Sequence, residues 1–152
     1  GVMGLSKDLI YRDVLLDYFK NIEWINPFSI TLTMISSMWR DGSQNFRHFM
    51  NRLNRRYLKK SYHRYGNRLR VIPVIEGNEI INPHYHCIID NPNIDRDDEF
   101  VRLVRESWWK TSLSKPIVDI QSMDDDGWIK YMLKLRTKPS LTDSVDWVNV
   151  SL

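Results

Sequence analysis

Apolar and polar positions along the 152-residue chain change period several times, and each change marks an element. In residues 6–20 (SKDLIYRDVLLDYFK), Leu9, Ile10, Val14, Tyr18 and Phe19 fall near helical spacing, with Ser6 placed to cap a first helix. Over residues 27–36 (PFSITLTMIS) the period becomes two: Thr31 and Thr33 interleave with Ile30, Leu32 and Met34, which predicts a strand. Helical spacing then returns, with Phe46, Phe49, Met50, Leu53 and Tyr57 on an i, i+3, i+4, i+7, i+11 stripe. That stripe predicts an amphipathic helix of about five turns, ended near Gly66.

Two apolar runs, residues 68–77 and 81–90, enclose the turn residues Gly77 and Asn78, so they predict an antiparallel hairpin. Residues 95–110 open with acids and close with basic and aromatic residues, and Phe100, Leu103, Val104 and Trp108 share one face. This is a helix aligned with its own dipole. KPIVDIQSM (115–123) predicts another strand, DDDGWIKYMLKLR a short helix starting near Gly127 or Trp128, and residues 145–150 a closing strand. Hairpin strands interleaved with helices imply an α+β fold: a central antiparallel β-sheet of about five strands, flanked by helices. A single compact domain is expected, with residues 1–26 as a helical extension and 27–152 as the main body.

Composition narrows the class. Apolar residues at 42% supply a substantial core, and no run of 18 apolar residues offers a membrane span. The N-terminal stretch lacks the basic-then-apolar layout of a secretory signal. Cys87 is the sole cysteine, which rules out an intrachain disulfide and a thiolate zinc cluster and suits an intracellular setting. Cys87 itself reads as buried packing, and Trp108 and Trp109 as core and domain-edge residues. No GxxxxGK[ST] phosphate loop is present, so no ATP site is expected in this chain.

The net charge of +3 hides a local excess. Between Asp41 and Glu76 there is no acid, while Arg47, Arg52, Arg55, Arg56, Lys59, Lys60, Arg64, Arg68 and Arg70 give that window +9. The rest of the chain holds 13 cations against 19 acids, a net −6. A cationic helix of this kind suits a polyanion: Arg47, Arg52, Arg55, Arg56, Lys59, Lys60 and Arg64 can meet nucleic-acid phosphates, and Tyr57, Tyr62, His63 and Tyr65 can stack on unpaired bases.

Candidate chemistry centres on PHYHCII (83–89). On a strand, His84 and His86 point to one face of the sheet, with Tyr85 and Cys87 on the other. Two such histidines can hold a metal, although the same pattern also suits a pair of hydrogen-bonded surface histidines. A cupin-type site would need a glutamate a few residues downstream, which CIIDNPN lacks, and a histidine triad would need a third histidine where Ile88 stands. Glu76, eight residues before His84 at the end of the preceding strand, can return across the hairpin as a third ligand, with Glu79 competing for the role. In WIKYMLK, Tyr131 and Lys134 stand at i, i+3 and share a helix face.

These pieces, in this order, resemble the HUH endonucleases, specifically the single-tyrosine replication initiators (Rep proteins) of rolling-circle plasmids, phages and small single-stranded DNA viruses. FSITLTM (28–34) is similar to the family's first motif, PHYHCII with Glu76 ahead of it to the second, and YMLK (131–134) to the YxxK third motif. The resemblance covers roughly residues 27–137 and implies an HUH fold related to the RRM-type sandwich. It implies that Glu76, His84 and His86 hold a divalent ion, Mn²⁺ or Mg²⁺, that Tyr131 is the nucleophile and that Lys134 assists. The implied reaction is sequence-specific nicking and joining of single-stranded DNA at a replication origin through a 5′-phosphotyrosine, initiating rolling-circle replication. Implied partners are single-stranded DNA or an origin hairpin, with a helicase domain or host replication proteins beyond this chain, in the bacterial cytoplasm or, for a virus of eukaryotes, the nucleus. A relaxase or single-tyrosine transposase would share the chemistry, and a non-catalytic RRM-like module binding single-stranded nucleic acid would share the fold.

Overall fold

The computed structural model describes residues 14, 17–18, 21–35, 39–76, 83–123 and 145–152. Strands β1 (Pro27–Met34), β2 (Val71–Glu76), β3 (His84–Asp90) and β4 (Ser114–Ser122) form one sheet in the order β2-β3-β1-β4. Every pairing in it is antiparallel. Helix α1 (Trp39–Leu58) is followed by a short α2 (Lys60–Tyr65), and α3 (Asp97–Trp109) precedes β4. This is the expected α+β architecture, with four strands among the described residues.

Alternation in β1 divides the sheet into two faces. Phe28, Ile30, Leu32 and Met34 are buried, while Pro27, Ser29, Thr31 and Thr33 take the intermediate positions between them. The register places Phe28 across from Ile89, Ile30 across from Cys87 and Leu32 across from Tyr85, so these six share the first face. Helices α1 and α3 cover it, because their apolar stripes need the same burial that it does. Phe46 of α1 stacks on Tyr85 with centroids 4.4 Å apart, Phe49 meets Trp108 edge-on at 5.7 Å, and Phe100 of α3 lies 5.0 Å from Phe28. Cys87 and Trp108 are core residues as expected, and Trp109 is exposed.

Buried carboxylates fasten the periphery to this core. Asp90 accepts hydrogen bonds from the backbone N–H groups of Ile25 (3.1 Å) and Asn26 (2.7 Å), which fixes the entry into β1. Asp146 accepts from Tyr85 Oη (2.9 Å), Ser43 Oγ (3.1 Å) and Asn149 Nδ2 (2.6 Å), tying the C-terminal segment to β3 and α1. Each carboxylate is buried but held by several donors, which offsets its loss of water.

Three expectations need correction. The long helix starts earlier than residue 43 and is not continuous: it breaks at Lys59, whose φ of 51° and ψ of −120° lie outside helical space. Lys59 N–H still donates to the Arg55 carbonyl, and its own carbonyl starts α2 by accepting from Tyr62 and His63. Gly66, in the left-handed region at φ 66°, then caps α2 as its position predicted. The closing strand over 145–150 is replaced by two isolated bridges, Val74 with Val145 and Val71 with Ser151, joined through a 3₁₀ turn at Trp147–Asn149. The sheet edge is thus covered by a turn and not by a fifth strand. Of the first expected helix, Val14, Asp17 and Tyr18 are described and are helical. The 77–82 turn and the short helix after residue 123 lie outside the described residues.

Candidate metal centre

β3 runs in the interior of the sheet, so each of its site-facing side chains has a neighbour on both sides. His84 lies between Glu76 of β2 and Thr33 of β1, and His86 between Val74 and Thr31. Directly paired residues on one face come within about 5 Å at Cβ, and diagonal ones remain within reach of long side chains. Glu76 uses both reaches. Its Oε2 lies 3.2 Å from His84 Nε2 and 2.7 Å from His86 Nε2.

The imidazole rings stand edge-on, 4.6 Å between centroids at 88°, and one ligand atom from each of the three residues falls within 4.8 Å of the others. The histidine side chains are 23% and 21% exposed and that of Glu76 is 42% exposed, so the cluster opens to solvent. His86 is also held from behind, with its Nδ1 3.1 Å from Thr31 Oγ1.

The donor set fits a divalent cation. Ligand bonds of about 2.1 Å in octahedral geometry separate adjacent ligand atoms by about 3 Å, close to the two distances made by Glu76. Two imidazole nitrogens and one carboxylate on one side of an ion leave its remaining positions open to substrate oxygens. Glu76, favoured over Glu79 from position alone, is therefore at the cluster; Glu79 lies outside the described residues, as do Tyr131 and Lys134.

A family model, Replication-associated protein ORF2, matches residues 27–140. The chain belongs to this family. The match begins at the first residue of β1 and takes in Glu76, His84 and His86 as well as the span holding Tyr131 and Lys134. No curated protein and no solved structure matches the chain.

In this replication-associated protein the cationic residues do not converge on the cluster. Arg47, Arg52, Arg55 and Arg56 lie on α1, Lys60, Tyr62 and Arg64 on α2, and Lys59 between them. Because the apolar stripe of α1 packs on the face of Tyr85 and Cys87, the sheet separates this helical layer from His84 and His86. Arg47, Lys59, Lys60 and Arg64 are exposed, and Arg56 pairs with Glu106 of α3 at 3.1 Å. Tyr62 carries the Arg68 guanidinium 5.3 Å from its ring centroid, and Arg47 and Arg68 line a cleft of about 410 Å³ beside Ser151. Tyr57 is not a stacking surface: it is 2% exposed and donates to Asn91 Oδ1, since the stripe that makes α1 amphipathic ends on it.

Sequence reasoning missed one member of the site. Thr31 is part of the alternating FSITLTM run, yet only the pairing of β1 with β3 shows that it meets His86. Among the described residues no helix is long and apolar enough to cross a membrane.

Proposed function

We propose that this replication-associated protein initiates rolling-circle replication by nicking, and later rejoining, single-stranded DNA at an origin. The observation that carries this reading is the meeting of Glu76, His84 and His86 on one open patch of the sheet within a replication-family domain. In this reading residues 27–152 are the HUH domain and residues 1–26 an extension of it. A divalent ion bound by the three residues supplies Lewis-acid polarisation of a phosphodiester's non-bridging oxygens. A mixed nitrogen and oxygen donor set favours Mn²⁺ over Mg²⁺, which prefers oxygens alone.

Tyr131 is the nucleophile. Its phenolic oxygen bonds to phosphorus, the P–O3′ bond breaks, and the phenolic proton is transferred in net terms to the departing 3′ oxygen. The products are a 5′-phosphotyrosine and a 3′-hydroxyl that primes synthesis. Lys134, one helical turn beyond Tyr131, offers its ammonium to the negative charge that develops. Because the phosphoester is retained on the tyrosine, the reverse reaction joins ends without ATP.

The cations of α1 and α2 bind backbone phosphates of the same DNA, single strand or origin hairpin, away from the scissile position. Their separation from the histidines by the sheet supports this division of labour.

The test is incubation with Mn²⁺ and a labelled single-stranded oligonucleotide carrying the origin. A denaturation-resistant protein–DNA adduct is expected from the wild type and not from Tyr131→Phe. No adduct from the wild type on its own origin overturns the reading, and an adduct surviving in Tyr131→Phe moves the nucleophile elsewhere.

A further inference from the structure

The proposed metal centre has a support that the ligand set alone does not include. Thr31 and His86 are register partners across β1 and β3, and Thr31 Oγ1 lies 3.1 Å from His86 Nδ1 while the other ring nitrogen faces Glu76 at 2.7 Å. Thr31 comes from a different strand than any of the three ligands, and its branched side chain has a restricted χ1 on a strand.

A neutral imidazole has one N–H, and the nitrogen that carries it has no lone pair for an ion. The carboxylate at Nε2 favours a proton there while no ion is bound. When an ion takes the Nε2 lone pair, the ring's single proton has to reside on Nδ1. A threonine hydroxyl suits both states, because it donates to a bare Nδ1 and, after rotating, accepts from Nδ1–H. A backbone carbonyl, which only accepts, would serve one state alone.

We propose that Thr31 is a positioning residue of the metal centre: its hydroxyl holds the His86 ring in place in both tautomers and lets Nε2 exchange its proton for an ion without the ring turning. This rests on the reading of Glu76, His84 and His86 as metal ligands. The partner on the far side of a ligating histidine is typically worth about 10–100-fold in metal affinity.

The experiment compares wild type, Thr31→Ser, Thr31→Val and Thr31→Ala by calorimetric titration with Mn²⁺. It also reads the His86 ring-nitrogen NMR signals before and after diamagnetic Zn²⁺. Serine keeps the hydroxyl; valine keeps the shape without it; alanine removes it without adding a methyl beside Nδ1. Thr31→Ser is expected within about threefold of wild type, and Thr31→Val and Thr31→Ala about 10–100-fold weaker. On Zn²⁺ binding the His86 proton is expected at Nδ1 in the wild type and in Thr31→Ser. Wild-type affinity in both Thr31→Val and Thr31→Ala, or a loss in Thr31→Ser equal to theirs, overturns the proposal while leaving the ligand assignment standing. A wild type that binds neither Mn²⁺ nor Zn²⁺ overturns the ligand assignment and this inference together.

Discussion

Glu76 reaches diagonally across the β2–β3 ladder to His86, with 2.7 Å between Oε2 and Nε2, although its register partner is His84 at 3.2 Å. One carboxylate thereby closes on two imidazoles that stand side by side. A ligand that binds the folded state alone stabilises it by mass action. Mn²⁺ at a hundredfold excess over its dissociation constant should therefore raise the unfolding free energy by about 2.7 kcal/mol. Addition of EDTA should reverse the gain, and Glu76→Ala should abolish it. Thermal melts with and without the ion check this, and an identical Mn²⁺ response in wild type and Glu76→Ala would count against the cluster as the binding site.

The sheet that separates the cationic helices from the histidines predicts that the two can be altered independently. Arg55, Lys60 and Arg64 are exposed on α1 and α2. Removing one phosphate interaction lowers the slope of log K against log salt by about 0.7 on a single strand. Joint replacement of the three by alanine should reduce that slope by about 2 for a single-stranded oligonucleotide. Mn²⁺ affinity in the same variant should equal that of the wild type. Fluorescence anisotropy across a salt series reads the first quantity, and calorimetry the second.

Stability should fall in alkali. Burial raises the Tyr85 hydroxyl far above its ordinary 10.0, reinforced by the neighbouring Asp146 carboxylate, and burial also raises Tyr57 in spite of Arg96 beside it. A raised folded value means that the folded protein keeps protons which the unfolded chain releases. The contribution is therefore fully present below pH 10 and is lost as the pH rises beyond it toward the folded values, at up to about 1.4 kcal/mol per pH unit for each tyrosine. Urea titrations between pH 8 and 11 should show this decline, and Tyr57→Phe with Tyr85→Phe should flatten it.

Two backbone positions should respond in opposite directions. Gly66 sits at φ 66° with open space where a Cβ would stand, so Gly66→Ala meets only the conformational penalty and should destabilise by about 1 kcal/mol. Lys59 already bears such a penalty at φ 51° and ψ −120°, so Lys59→Gly should stabilise by about 1 kcal/mol. Denaturant unfolding of the two variants measures both, and a loss of stability in Lys59→Gly would contradict the strain at the break.

Much of this layout was open to local reading. The Thr and apolar alternation of β1, the His84 and His86 pair, the stripe through Phe46, Phe49 and Leu53, and the burial of Cys87 all follow from a side-chain period, which neighbours in sequence set by themselves. Even Glu76 could be singled out, since a hairpin returns the chain onto itself within eight residues. The break at Lys59 was hidden because the apolar stripe of α1 had already ended at Tyr57, leaving nothing periodic to mark where the helix stops.

What only tertiary structure decided depends on strands and layers far apart in the chain. Thr31 meets His86 because β1 pairs with β3 in one register; a slip of one residue would turn Thr31 to the other face. Which face α1 covers depends on where apolar surface is left to bury, and that choice puts its cations on the opposite side of the sheet from the histidines. The closing segment bridges Val74 and Val71 in place of forming a fifth strand because Asp146 and Asn149 turn inward to Ser43 and Tyr85. Period is a property of adjacent residues and can be read from them. Register and layer are set by contacts between residues tens of positions apart, and those exist only once the chain has folded.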